Sequence, residues 1–533
     1  MTEYTSLTCQ EYYAKRRSES SRGGEAMRAR RLFAFAALLC ALSSFGKVFG
    51  QADPAGIPQW ETIVHELALK SRGAQFPADG PTGVFPPTIP EFLLSLDQSG
   101  AMETYNLAAP TDTSTNAFFQ SLGTNGWACA TCREPRSAWG VSVASIQARF
   151  NASRGTDPIF RVVDGATCNT DDVGSLGAMR KAYGLLLSKG LIRIFLPLPA
   201  TQLGSNPPVP RNFEISGLKD PYGCTDLSSD PPIISVYRRP LLSANLRFLN
   251  ECPASDPLCE PLSIMWDGRE PSLQSQATDA TLGHAQAPNP PSIAQIAQIV
   301  SFESNIFDAQ VFDFEAGGLD RDGANGGPVF LSNQNFSIGI NDSLSPGFDN
   351  VVFTLFDAWS KEEAARASIA RGEDLFNTKN FTISDVNGLN LEPTDPLGHT
   401  SITGNCTTCH DSPNVGNHSK KLPLNIGVAD AHPPVLDVSG LPVFTVRCTD
   451  SSGPMQGQVF QVTDLGRAML SGKCADVGKV KGPILHGLAA RAPYFHNGSA
   501  ATLEGVVNFY EERFEIGFTE QEKADLVAFL KAL

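Results

Sequence analysis

The chain has 533 residues, with 41 basic and 56 acidic side chains and a net charge of −15. That length allows two or three domains with well-buried cores. The acidic balance argues against nucleic acid and against anionic membrane surfaces as partners.

The first 50 residues do not read as part of a fold. Arg28, Arg30 and Arg31 precede an apolar run from Leu32 to Leu42, and Val48 and Gly50 are placed for cleavage near Gln51. This is the pattern of a secretory signal, with Met27 as the start, and the run is too short to span a bilayer comfortably. Residues 1–50 are therefore a signal-peptide region, and 51–114 an N-terminal extension. Removing 1–50 takes away 8 basic and 4 acidic residues, so 33 basic and 52 acidic remain, a net of −19. The expected location is the periplasm or the exterior, with no membrane span after signal removal. The surface charge suits a basic redox partner and serves solubility equally well.

The chain has twelve cysteines, and export favours oxidised pairs. Local spacing suggests Cys252–Cys259 and Cys448–Cys474, and allows Cys168–Cys224, although sequence does not fix connectivity. Two further pairs have Cys-x-x-Cys spacing. The first is Cys129-Ala130-Thr131-Cys132-Arg133. The second, Cys406-Thr407-Thr408-Cys409-His410, is a complete attachment signature for haem c. Two thiols can add to the haem vinyl groups, and the adjacent imidazole can ligate the iron. Zinc would require a second ligand pair at short spacing downstream, and none is present. A redox dithiol would sit near a βαβ pattern, which this chain lacks.

Pro and Gly are abundant, at 38 and 47, and predict long ordered loops, among them 286–292 and 317–327. The clearest helices surround the second Cys pair. Ser360 to Glu363 reads as a capping box, with Ala365, Ile369 and Phe376 following on one face. A helix starts near Thr502, with Leu503, Val506, Val507 and Tyr510 on one stripe. Thr519 to Glu522 is a second capping box, opening a terminal helix that carries Leu526, Phe529, Leu530 and Leu533. A faint repeat links Phe118-Phe119 and Cys129–Cys132 to Leu375-Phe376 and Cys406–Cys409. The fold class expected is mainly α, with two cytochrome c-like domains, long loops and little β-structure. The first domain spans 115–357 with insertions, and the second spans 358–533.

Four segments resemble the bacterial di-haem cytochrome c peroxidase/MauG family: residues 118–135, 265–270, 279–287 and 482–510. The middle segments resemble its larger members, which include di-haem rubber oxygenases. The resemblance implies an exported oxidoreductase with two cytochrome c domains. Its first haem would use hydrogen peroxide or oxygen, and its second would pass electrons from a small redox protein. It further implies His410 as proximal ligand of the second haem. Tyr510, fourteen residues after His496, would be the distal ligand; the other reading of Tyr510 is a core aromatic. His496 is the rival ligand, with Met455 and Met469 weaker ones. Trp266 resembles the tryptophan between the two haems, and Gln276 also fits the pattern. Gln286 stands where the family has its distal glutamate, and an amide cannot act as general acid or base. His284 either substitutes for that group or is a hydrogen-bonded core histidine. Arg239 and Arg491 stand at calcium-ligand positions, and cations cannot coordinate calcium, which puts a calcium site in doubt.

Arg133 replaces the histidine of the first motif, and a guanidinium has no lone pair for iron. Three readings follow. The first domain lacks haem and joins Cys129 to Cys132. It holds haem through Cys129 and Cys132 with another axial ligand. Or the substitution is an error or drift. Attachment machinery generally reads the histidine, which favours absence. The function expected is peroxide- or oxygen-dependent oxidation through a C-terminal haem. The alternative is a single-haem electron-transfer or binding protein without turnover.

Overall fold

The computed structural model describes residues 85–199, 211–250, 264–362, 364–390, 400–450 and 455–533. The signal region, most of the N-terminal extension and the Cys252–Cys259 pair lie outside them. All described residues belong to one unit, Ser71–Leu533.

Helices hold more residues than strands, so the helical expectation is met in part. The expectation of little β-structure is not met: thirteen strands form five small antiparallel sheets among the described residues. The largest sheet orders Phe92–Leu96, Gly100–Asn106, Ile306–Asp313 and Gly317–Gly318 as neighbours. Ile306–Asp313 is buried along nearly its whole length, including Asp308 and Gln310, so the apolar–polar alternation of Phe307 to Val311 does not mark a buried and an exposed face. The strands Ile192–Pro197 and Ile233–Arg238 pair in the same way, the second rich in β-branched residues and mostly buried. Of the two segments read as surface loops, 317–327 is partly structural. Gly317 and Gly318 join the large sheet, and Leu319 is fully buried.

The helices near the C-terminus follow the sequence closely. Leu503–Phe514 is capped by Thr502, whose hydroxyl accepts from the Gly505 amide. Glu520–Lys531 opens on the reciprocal Thr519–Glu522 capping box. The Ser360 box differs: Ser360 lies inside a 3-10 helix, Asp357–Lys361, and the α-helix runs Ala364–Thr378. Helices Ala364–Thr378 and Glu520–Lys531 cross closely at Gly372, where an added Cβ would lie 2.0 Å from the Asp525 carbonyl oxygen. Around this crossing Phe353, Phe356, Trp359, Phe376 and Phe529 form one aromatic core. A second aromatic core joins Phe118, Phe119, Trp139 and Phe302. A third contains Phe150, Phe160, Phe213 and Phe444, with Met455, Met469 and the Cys448–Cys474 disulfide. Cys168–Cys224 is also joined.

Candidate functional site

Both Cys-x-x-Cys segments fold as short 3-10 turns, Cys129–Cys132 and Cys406–Thr408. In each, the threonine before the second cysteine caps the turn. Thr131 Oγ1 accepts from the Ala128 amide at 2.9 Å, and Thr408 Oγ1 accepts from the Asn405 amide at 3.1 Å. All four cysteines are half-buried and unpaired. Cys129 and Cys132 are therefore not joined to each other, contrary to the disulfide expected if that site lacked haem.

The second turn is bolted to helix Ala364–Thr378 by Asn405 Nδ2, which donates to the Asn377 carbonyl at 2.6 Å. His410 follows it, and its Nδ1 meets the Gly416 carbonyl at 2.6 Å. A carbonyl only accepts, so Nδ1 carries the proton and Nε2 keeps its lone pair. That is the tautomer an iron ligand requires. Burial lowers the His410 pKa, which also favours the neutral ring. Gly416 has φ +75°, and a Cβ there would lie 2.7 Å from the Phe353 ring; a side chain would displace the carbonyl that orients His410. Phe376 packs on the imidazole with centroids 5.9 Å apart. Burial pushes the Cys406 and Cys409 thiols up to about 12. Tyr510 belongs to the same site: its pKa is raised by burial and by the Cys409 and Cys406 sulfurs. Its ring stacks on Phe514, with centroids 6.3 Å apart. These residues fit a covalently attached haem c.

The buried pair His418–Asp411, 3.1 Å apart, completes this neighbourhood and was not singled out from sequence. Only the adjacency of Asp411 to His410 could have flagged it.

His496 is placed differently. It is 1% exposed and lies 6.1 Å from Trp266 between ring centroids and 3.7 Å from Asp464. Burial drives its pKa down to about 4. Arg238 joins this cluster through Asp464 and Asp267. Burial works against the Asp267 charge, but Arg269 and Arg238 hold it down at about 2. Met469 Sδ lies 3.5 Å from an Arg238 nitrogen.

The first Cys pair faces a cleft of about 930 Å³, open to solvent. Its walls bring together Cys129, Cys132, Trp266, Gln276 and His284, five of the residues singled out from sequence. His284 Nδ1 meets Asp164 Oδ2 at 2.7 Å, and its ring stacks near Trp127 with centroids 6.1 Å apart. Gln286 is exposed and adopts a left-handed φ of 54°. Trp266 donates its indole N–H to the Arg239 carbonyl at 2.8 Å, and its own carbonyl accepts from the Lys481 amide at 2.9 Å. Trp266 thereby links the first cleft to the segment leading towards His496. Arg133 Nε donates to Ser243 Oγ at 2.9 Å, and Ser243 Oγ donates to Glu303 Oε1 at 3.0 Å. Glu303 is pushed up to about 7 by burial. The first site thus offers thioether-competent cysteines without a histidine after them.

A family described as RoxA-like, cytochrome c-like matches residues 480–516, the segment that holds His496 and Tyr510. A cytochrome-c peroxidase, IdrP2, of Denitromonas iodatirespirans is 37% identical over 160 residues, 29% of this chain and 42% of that protein. The IdrP2 peroxidase of Pseudomonas sp. (strain SCT) is 33% identical over 135 residues, 24% of this chain and 35% of that protein. Over these stretches the chain is similar to cytochrome-c peroxidases and to a RoxA-like cytochrome c segment. It matches less than half the length of these curated relatives. A solved MauG-like protein associated with microbial copper homeostasis aligns at 19% identity and TM-score 0.23, over 48% of this chain and 57% of that one. A likeness at that level carries no argument. The peroxidase and cytochrome c likenesses together imply a haem oxidoreductase with haem c.

Proposed function

We propose that this protein is an exported di-haem oxidoreductase of the periplasm or exterior. It would use hydrogen peroxide or oxygen as oxidant and pass electrons through a C-terminal haem from a small redox protein. The observation that carries the reading is His410, on a turn with two unpaired cysteines and with its Nδ1 tied to a backbone carbonyl. In this reading Cys406 and Cys409 attach the haem, His410 is its proximal ligand, and Tyr510 its distal ligand. When bound, haem supplies one-electron redox chemistry at iron. The protein's own groups do the rest. The Gly416 carbonyl strengthens His410 as a donor, and the aromatic core excludes water around it. In the first cleft, Cys129 and Cys132 would hold the first haem, and Trp266 would couple the two sites. Asp164 holds the proton on His284 Nδ1, leaving Nε2 to take up and return a proton in place of the amide at Gln286. Gln276 orients the oxidant. The domain division at 115–357 and 358–533 belongs to the same reading.

A second reading is supported by Arg133. A permanently charged guanidinium bonded to Ser243 cannot ligate iron. On that account the protein is a single-haem electron carrier without turnover. Haem counting by pyridine haemochrome, together with peroxide-dependent oxidation of a reduced small cytochrome, separates the two. Two haems and turnover are expected for the mature protein. One haem and no turnover would replace the enzyme with the carrier, and no haem would remove both.

A further inference from the structure

A smaller cavity of about 560 Å³ adjoins the first cleft; Arg133, Leu241, Met265, Gln276 and Glu303 line both. Its wall carries three cationic side chains, Arg133, Lys481 and Arg491, against one acid, Glu303. Arg133 is tied to that acid through Ser243. The other cations are not served in this way. Arg491 Nη2 donates to the Ile484 carbonyl at 3.1 Å, while its Nε has no partner. Beside it Arg239, on the wall of the larger cleft, is 6% exposed. Arg239 Nη2 donates to the Val141 and Arg491 carbonyls at 2.6 and 2.7 Å, and its Nη1 has no partner.

The contrast with the preceding residue is informative. Arg238 is equally enclosed, yet two carboxylates neutralise it. The hydrogen bonds of Arg239 and Arg491 go to neutral carbonyls instead. Burial and the Arg491 charge lower the Arg239 pKa to about 9, and burial lowers that of Lys481 to about 8. A guanidinium left without a counter-charge in a protein interior carries a large desolvation penalty, and donors left idle add to it. An oxyanion in the smaller cavity that reaches the free Nε of Arg491 would relieve its penalty with a charge-assisted hydrogen bond.

We propose that Arg491 and Lys481, on the wall of the smaller cavity and with the Arg239 charge behind them, form an anion site there, taking a carboxylate or a small inorganic monoanion. The anion has two sources: a propionate of a haem in the larger cleft, or a free ion from solution. The site follows from the charge balance, and only its cofactor source rests on the proposed haem at Cys129 and Cys132. A divalent cation would meet two guanidinium groups here, so the site is opposite in sign to the calcium site of the family resemblance.

The test uses the mature full-length protein with the variants Arg491→Gln and Lys481→Gln. Its thermal midpoint is followed at constant ionic strength while chloride or formate replaces gluconate. A free anion gives a saturable rise of roughly 5 °C that both variants lose. A propionate gives no anion response, but both variants shift the reduction potential of one haem while haem content is unchanged. Either result supports the site. It is overturned if both variants match the parent in anion response and in potentials, or if the purified protein retains one calcium per chain. A haem count of one removes only the cofactor source, and the anion titration then decides alone. Lys481 is less enclosed than Arg239, so its variant keeps the test open if Arg491→Gln does not fold.

Discussion

Two cysteine turns with the same local geometry differ in the side chain that follows, and physics at that residue separates their chemistry. His410 presents a neutral imidazole whose proton is fixed by a carbonyl 2.6 Å away. Arg133 presents a fixed charge, linked through Ser243 to Glu303. Tyr510 is the residue on which the second site turns, because it faces Cys406 and Cys409. Replacing Tyr510 by Phe removes the oxygen and keeps the ring that stacks on Phe514. If Tyr510 is the distal ligand, the visible and electron paramagnetic spectra of the variant change from a six-coordinate to a five-coordinate haem. An unchanged spectrum would reduce Tyr510 to a core aromatic. Glu303 makes a separate prediction in pH. Its pKa rises from 4.5 to about 7, chiefly by burial. The folded state therefore holds a proton that the unfolded state has released between those two values. Stability contributed by this group is complete below pH 4.5 and is lost as pH rises through 7. The difference is on the order of 3 kcal/mol. Glu303→Gln removes the titration and keeps an acceptor for Ser243. The variant should melt higher than the parent at pH 8, and at the same temperature at pH 4.5. A lower midpoint for the variant at pH 8 would contradict this.

At the scale of elements, the crossing of helices Ala364–Thr378 and Glu520–Lys531 sets the shape of the second site. Gly372 lets the backbones meet, with Asp525 accepting hydrogen bonds from Arg371 and Ser368 beside the contact. Gly372→Ala would place a methyl group against the Asp525 carbonyl and 2.7 Å from Phe529 Cβ, and neither can rotate away. The expected loss is about 3 kcal/mol or more, read as a lower midpoint for release of the haem environment in the Soret band. A midpoint equal to the parent's would mean the helices slide apart without cost. Both helices were legible in sequence because each exposes one face and buries the other. The Thr519 box held because the helix start is solvent-exposed, where capping chemistry decides. The Ser360 box failed because Trp359, fully buried, draws that segment into the core as a 3-10 turn. The strands were missed for different reasons: Ile233–Arg238 is buried on both faces and lacks sustained alternation, while the alternation of Phe307 to Val311 is only five residues long.

Across the whole molecule, what the sequence revealed of the two sites differs with how local their parts are. The second site was readable because Cys406, Cys409 and His410 are contiguous, and only Tyr510 is distant. The first was readable only in part: Cys129, Cys132, Trp266, Gln276 and His284 were singled out, but Asp164, Ser243 and Glu303 join them only through the fold. Arg239 and Arg491 lie far apart in the chain and only the family resemblance pairs them, while the placing of Lys481 with Arg491 on one cavity wall needs the fold. Overall charge, in contrast, needs no fold to act. With a net of −15, or −19 without residues 1–50, an acidic surface would attract a basic redox partner at long range only when salt is dilute. The screening length falls from about 30 Å at 0.01 M to about 3 Å at 1 M. Reduction of this protein by a small basic cytochrome, followed by stopped flow, should therefore slow at least roughly tenfold between those concentrations. Reduction by a small neutral donor should stay flat, which isolates steering from any effect of salt on the haem itself. A rate with the basic cytochrome that does not fall with salt would show that the acidic surface serves solubility alone.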